Sequence, residues 1–324
     1  MSCSQLLPLP SASIHNAFTT SNLLSRTSFP HGISLTPLTD AALGVHKLSH
    51  PHILTHRVVC PPVPHTAVAI ATASASSVQD ANEKEAWEAI YIKGSINPAG
   101  AVKGGFGFYL GGPEDFQARL MHEGAEEVLM AYEVMFEKDW EWAKGGKLPG
   151  IYGGIGDAAY GCSGGRKDAR CKCFDLRLMW RANGAGELYA YLPLTPTNAE
   201  RLLRVPPTSH ENTDYGFSVG RGAWRFQSGR WHCVAIRVKM NHVGRENGEV
   251  EVYIDGTSVL RATSLVLRED PASRIRGMHF QTFFGGNKPD WASPKHQRAW
   301  FASITGAIVQ PEPEVHHTRQ NDKL

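Results

Sequence analysis

The chain has 324 residues, 42% hydrophobic and 20% charged, so it carries enough apolar material for one sizeable core or two smaller ones, and wholesale disorder is excluded. Its 33 Lys+Arg against 31 Asp+Glu leave a formal net charge of +2, which gives no electrostatic basis for a nucleic-acid or membrane-surface partner. The 32 Gly, 20 Pro and 8 Trp favour short strands joined by turns over long helices.

Residues 1–82 read as a leader. Up to residue 80 there are only two acids, Asp40 and Asp80, and three basic residues, Arg26, Lys47 and Arg57. The same stretch holds 12 Ser, 8 Thr and 7 His, a Pro-rich run at Pro61-Pro62-Val63-Pro64 and a small-residue tract from Ala67 to Ser77. Such a composition predicts a disordered or loosely packed segment. The opening MSCSQLLPLPSAS has no Lys or Arg and its apolar run is broken by Pro8 and Pro10, so it does not match a signal peptide. No run approaches the roughly 20 apolar residues of a membrane span.

From residue 83 the pattern changes to alternating runs separated by Gly and Pro. Strands are predicted in WEAIYIKG, EVLMAYEVMFE, CFDLRLMWR, ELYAYLPL, VAIRVKM, EVEVYIDG, SVLRATSLVL, RGMHFQTFFGG and RAWFASITGAIV, with an Asp255-Gly256 turn closing one hairpin. Short helices are predicted only at 113–123, with Pro near the start, and at 197–203. Many strands and almost no helix over 83–310 predict an all-β domain, a jelly roll or sandwich. Residues 311–324 are expected to be a disordered tail.

Three of the six cysteines, Cys162, Cys171 and Cys173, fall in GCSGGRKDARCKC. In an exported protein this predicts a local disulfide from Cys162 to Cys171 or Cys173. Zinc is disfavoured, because C-x8-C-x-C lacks paired C-x2-C spacing and has no nearby His.

The most informative stretch is CFDLRLMWRANGAGELYAYLPL. Phe174, Leu176, Leu178 and Trp180 alternate with Asp175, Arg177, Met179 and Arg181, and Leu188, Ala190 and Leu192 oppose Tyr189 and Tyr191. A two-residue turn at Asn183-Gly184 would mix apolar and polar side chains on one face. A loop with an odd residue count, with Gly184 or Gly186 at positive φ, sets Arg177 opposite Tyr189 and Asp175 opposite Tyr191. One face is then aliphatic and the other carries a guanidinium, a carboxylate and two phenols.

That set suits chemistry on an acidic sugar. Eliminating a 4-linked uronic acid requires removal of the C5 proton, neutralisation of charge building on the carboxylate, and protonation of the leaving O4. Arg binds a carboxylate in a two-pronged fashion, and Tyr transfers protons when a nearby cation lowers its pKa. The scheme needs no metal, nucleotide or other cofactor. A second cation is expected nearby, and GGKLPGIYGGIGD places Lys147 in a Gly-rich turn that leads toward Cys162. These glycines do not form a phosphate loop, since there is neither a GK[ST] ending nor a G-x-G-x-x-G between strand and helix.

The strings WEWAKGGKLPGIYGG, CFDLRLMWR with GELYAYLP, YGFSVGRGAW and MHFQTFFGG with DWASPKHQRAWFASITGAI resemble polysaccharide lyase family 14, particularly its fungal members. The resemblance runs from about Trp87 to Val309. It implies a β-jelly roll with a substrate cleft across a concave sheet, and β-elimination of a uronate polymer such as alginate or glucuronan. It also implies a secreted protein, expected to act as a monomer. By motif position, Lys147 resembles the family's catalytic lysine, Arg177 its carboxylate-binding arginine, and Tyr189 and Tyr191 its Y-x-Y pair. Asp175 departs from the pattern, standing where relatives tend to have a small neutral polar residue such as Ser. A carboxylate there would compete for Arg177, altering specificity or reducing activity.

Five further residues are candidate substrate contacts. His279 and Gln281 share a strand face in RGMHFQTFFGG, suited to a carboxylate and a hydroxyl, while Trp291, Lys295 and Arg298 offer a stacking surface and positive charge. Two rival readings are a non-catalytic carbohydrate-binding jelly roll derived from a lyase, and a sandwich-type glycoside hydrolase using Glu133 and Glu137 as its carboxylates.

Overall fold

The computed structural model describes residues 3–22, 24, 29, 32–62 and 84–309. Two antiparallel-rich sheets face each other. One has eight strands in the spatial order His210–Glu211, Phe217–Val219, Gly186–Tyr191, Cys173–Arg181, Gly145–Gly154, Arg274–Phe284, Phe106–Leu110, Val45–His46. The other runs Thr257–Leu265, Gly248–Ile254, Trp231–Lys239, Glu127–Phe136, Gln297–Val309, Ile14–Thr19, Ser34–Leu35, with Ala86–Tyr91 paired to the long Gln297–Val309 strand and Arg57–Val59 beyond it. This is the jelly-roll sandwich predicted from the strand pattern. The two short helices are also present, Pro196–Leu203 capped by the Thr195 hydroxyl, and Glu114–Ala118 continuing as a wider turn over Arg119–Glu123.

The main core lies between the sheets. Alternation puts Phe174, Leu176, Leu178 and Trp180 inside together with Leu188 and Ala190, against Val128, Met130, Tyr132, Val134 and Phe136 of the facing sheet. Phe106, Phe108 and Phe280 stack side by side across neighbouring strands, with Trp87 edge-on to two of them.

Two expectations need correcting. Residues 1–82 are not a loosely packed leader throughout. Ile14–Thr19 pairs with Gln297–Val309, and Val45–His46 completes the edge of the eight-stranded sheet. Phe18 enters the main core, while Leu6, Leu7, Ile14, Leu24, Phe29 and Ile33 cover Leu129, Ala131, Ala235 and Ala307 on the outer face of the nine-stranded sheet. The physical reason is that this outer face is apolar at its centre and needs a cover; low charge in the segment suited it to that task. The Ala67–Ser77 tract and the 311–324 tail lie outside the described residues. Secondly, GGKLPGIYGG is not a turn but a ten-residue strand in the middle of its sheet. Glycine lets it lie there: a Cβ on Gly150 would meet the Leu176 carbonyl oxygen at 2.0 Å and Arg177 Cα at 2.5 Å.

Phe18 is 1% exposed and meets Phe116 edge-on at 4.8 Å. Phe18→Ala is therefore expected to cost about 3–5 kcal/mol, seen as a lower midpoint in urea unfolding. An unchanged midpoint would mean that the N-terminal segment is not part of the folded unit.

Candidate active site

The hairpin register decides what faces the open side of the eight-stranded sheet. Arg177 pairs with Tyr189 and Asp175 with Tyr191, as the odd-loop reading requires, and Asn183 and Gly184 both take positive φ in the connection. Gly150 pairs with Arg177 on the other side, and His279 pairs with Gly150. Lys147 pairs with Met179, so its side chain leaves the sheet on the same face as Arg177, while Leu148 turns into the core across a bulge. The structure thus brings Lys147, Asp175, Arg177, Tyr189, Tyr191, His279 and Gln281 together.

Charged groups are packed tightly here. Arg177 donates from Nη1 to Gln281 Oε1 at 2.7 Å, and its Nε lies 3.2 Å from Asp175 Oδ2. The same carboxylate oxygen accepts from His279 Nδ1 at 2.8 Å. Lys147 Nζ sits 3.4 Å from the centre of the Tyr189 ring and 5.6 Å from that of Tyr191. Two buried polar atoms, Lys147 Nζ and Asp175 Oδ1, have no hydrogen-bond partner among the described residues. Such atoms are costly in a finished fold and point to a bound molecule or a reacting group.

The electrostatics follow from burial and neighbours. Burial, reinforced by the Arg177 and Arg181 guanidinium groups, holds the Lys147 amine well below the usual lysine range. Burial pushes the Asp175 carboxyl up, but Arg177 and His279 outweigh it and keep the group ionised below the usual carboxylate range. His279 is pushed down by burial and by Arg177, so it is a neutral imidazole. With Nδ1–H donated to Asp175, its Nε2 is the free acceptor. Burial raises both phenols, Tyr189 and Tyr191, above the ordinary tyrosine value. The expectation that a nearby cation would bring a tyrosine toward neutrality is thus reversed: the cations are present, and desolvation is the larger effect.

Trp291 stands at the rim, reaching the site only through Arg181, which lies 5.8 Å from its ring and 6.0 Å from that of Tyr189. Lys295 and Arg298 do not join. Lys295 donates to the Asp139 carbonyl at 2.6 Å, and Arg298 is paired with Glu137 and Glu88 on the other sheet, because its strand, Gln297–Val309, belongs there. Glu133 is likewise bound to Lys84 and Ser303 on that sheet, so the proposed hydrolase pair Glu133 and Glu137 is spent on structural contacts away from the polar cleft.

Cys162 bonds Cys173 with Cα atoms 5.7 Å apart, leaving Cys171 exposed. The loop so closed carries Arg170, which the sequence reading missed. Its guanidinium lies 4.9 Å from the Tyr191 ring and is anchored on the Arg166 and Tyr215 carbonyls. Glu187 was also missed, although it alternates with Tyr189 and Tyr191; buried, it binds Arg181, Arg221 and Ser218. Tyr109 was invisible because Phe106–Leu110 was not recognised as a strand.

The outer face of the eight-stranded sheet of this jelly roll therefore carries Lys147, Arg177 and the paired Tyr189 and Tyr191 in one buried cluster. The family model for polysaccharide lyase 14 matches residues 79–304, and the chain belongs to that family. It is a polysaccharide lyase. Among solved structures it is similar to the marine PL-14 alginate lyase from Aplysia kurodai, with 30% identity and a TM-score of 0.60, over 79% of this chain and 99% of that one. It is also similar to the alginate lyase vAL-1 from Chlorella virus, with 20% identity and a TM-score of 0.59, over 82% of this chain and 93% of that one. A search of curated proteins finds no match.

Because its folded pKa is lowered, Lys147 binds a proton less tightly in the folded than in the unfolded chain, so it costs stability at every pH below the unfolded value near about 10.4, and the cost disappears above it. Lys147→Met is expected to raise the urea midpoint at pH 7 by an amount that shrinks as pH approaches 10. A variant less stable than the parent at pH 7 would contradict this placement of the amine.

Proposed function

We propose that the protein cleaves a uronic-acid polymer, alginate or glucuronan, by β-elimination without a metal ion, and that it does so outside the cell as a monomer. The observation that carries this reading is the buried, unpartnered Lys147 amine lying on Tyr189 and flanked by Arg177 on the open face. Arg177 supplies the positive charge that a developing dianion at the substrate carboxylate requires. Gln281, already on its Nη1, fixes the guanidinium plane. The Lys147 amine, lowered in pKa, takes the C5 proton. Tyr191, whose raised pKa keeps its proton at neutral pH, gives that proton to the leaving O4. Tyr189 provides the ring face that seats the amine. The bond from C4 to oxygen breaks as the C4–C5 double bond forms. The alginate lyases that resemble this chain support the substrate class, and the Cys162–Cys173 disulfide suits an oxidising compartment.

Digesting alginate and glucuronan should yield the ultraviolet absorbance of an unsaturated uronate, undiminished by EDTA. Lys147→Ala and Tyr191→Phe should each lower kcat by about 10²-fold or more, whereas Tyr189→Phe, which keeps the ring, should cost less. Binding of either polymer with no unsaturated product would instead favour the non-catalytic binding protein.

Activity should also rise with pH as Lys147 loses its proton, with the rising limb well below the ordinary lysine value. It should fall only above the ordinary tyrosine value of about 10. A rate that is flat from acid to alkali would remove Lys147 as the base.

A further inference from the structure

One residue from each strand of the eight-stranded sheet falls on a single cross-strand row. It runs His210, Ser218, Tyr189, Arg177, Gly150, His279, Tyr109, His46, each paired with the next. Cross-strand partners share a face, so the row continues past the reacting groups to the sheet edge. With strands roughly 4.8 Å apart, Arg177 and His46 are separated by roughly 19 Å. That length exceeds one sugar ring, so this half of the row has room for more than one sugar.

The outer end of the row is built. The Tyr109 ring stacks on His279 at 4.2 Å, and its hydroxyl makes no hydrogen bond to any described residue. His46 Nδ1 donates to the Gly44 carbonyl at 2.9 Å, so Nε2 accepts from the Tyr160 hydroxyl at 3.1 Å and fixes that ring. Lys47 Nζ lies 4.4 Å from the centre of the Tyr160 ring and has no carboxylate partner among the described residues. Lys47 holds its backbone at φ 50°, an uncommon conformation for a side chain of this kind. His46 and Lys47 lie outside residues 79–304, the part matched by the family model, so the N-terminal segment supplies this end.

We propose that Tyr109, His46, Tyr160 and Lys47 form an outer subsite that begins beside His279, runs to the sheet edge and holds a further uronate of the polymer next to the sugars at the reacting groups. Lys47 binds its carboxylate and the Tyr109 hydroxyl binds a ring hydroxyl. The inference rests on the uronate-lyase reading and adds a length preference to it: long chains are held at both the reacting groups and the sheet edge, short ones only at the former.

The test compares alginate and glucuronan trimers with octamers on the full chain, by cleavage rate and, separately, by calorimetric binding. Lys47→Ala is expected to lower the octamer-to-trimer ratio of kcat/KM by about 10-fold, the size of one charge-assisted contact, chiefly through KM. Tyr109→Phe, which keeps the stacked ring, is expected to lower the same ratio by less. A ratio unchanged in both variants, or an equal loss on trimers and octamers, overturns the subsite. Octamer binding that depends on Lys47 but gives no unsaturated product overturns the lyase reading and leaves the subsite standing. A parent protein that neither binds nor cleaves octamers overturns both.

Discussion

Everything in the cleft depends on the register between Cys173–Arg181 and Gly186–Tyr191. A shift of one residue would send Arg177, Tyr189 and Tyr191 toward the core and expose Leu176, Leu178 and Leu188. The burial of those leucines therefore holds the polar face in place. Asn183 and Gly184, both at positive φ, supply the connection that this register needs. Gly150 extends the constraint to the neighbouring strand, where any side chain would collide with the backbone of residues 176 and 177.

Within that frame the charges are arranged at a cost to stability. A buried lysine amine and a carboxylate oxygen, neither with a hydrogen bond among the described residues, cost stability without adding to it. Burial acts on both, but in different ways: it pushes the Asp175 carboxyl up and is outweighed by Arg177 and His279, while it lowers the Lys147 amine and is reinforced by Arg177 and Arg181. Arg177 thus acts on both neighbours. It stabilises the anion beside it and adds to the effect of burial on the amine beyond it. Asp175 does compete for Arg177, through Nε, but Gln281 holds Nη1 on another side of the guanidinium, and the sharing makes the site less positive than a bare arginine and lysine would be.

The sequence made this face legible because alternation over nine residues is unambiguous when one set is Phe, Leu, Leu, Trp. It made the fold class legible for the same reason. Lys147 was found as a residue but placed in a turn, since ten residues with five glycines carry no hydrophobic alternation; only the neighbouring strands, which tolerate no Cβ at Gly150, make them a strand. Arg298 and Lys295 were misplaced because proximity in sequence to the His279 strand does not carry across a sheet change: Gln297–Val309 crosses to the other layer. The N-terminal segment misled by composition. Few charges and many Ser and Thr suggested a chain unable to build a core, yet Leu6, Leu7, Ile14 and Phe29 needed only an existing apolar surface to pack on, and the far face of the nine-stranded sheet provides it.

Net charge and the local placement of charge are separate matters in this chain. A net charge of +2 generates no long-range attraction worth the name at physiological salt, where the screening length is about 8 Å. Recognition must be local, by cations held where water is excluded. Among the described residues, the carboxylates facing Arg177, Lys147, Arg170 and Arg181 are Asp175 and Glu187, and Glu187 is bound by Arg181, Arg221 and Ser218. The opposite sheet shows the contrary arrangement: Arg237 is matched by Glu127, Glu249 and Glu251, and Arg298 by Glu137 and Glu88. On one sheet Arg237 and Arg298 are closed by carboxylates, while around Tyr189 and Tyr191 on the other Lys147, Arg177, Arg181 and Arg170 gather about two carboxylates, so a chain whose charges almost cancel still concentrates positive charge at one place.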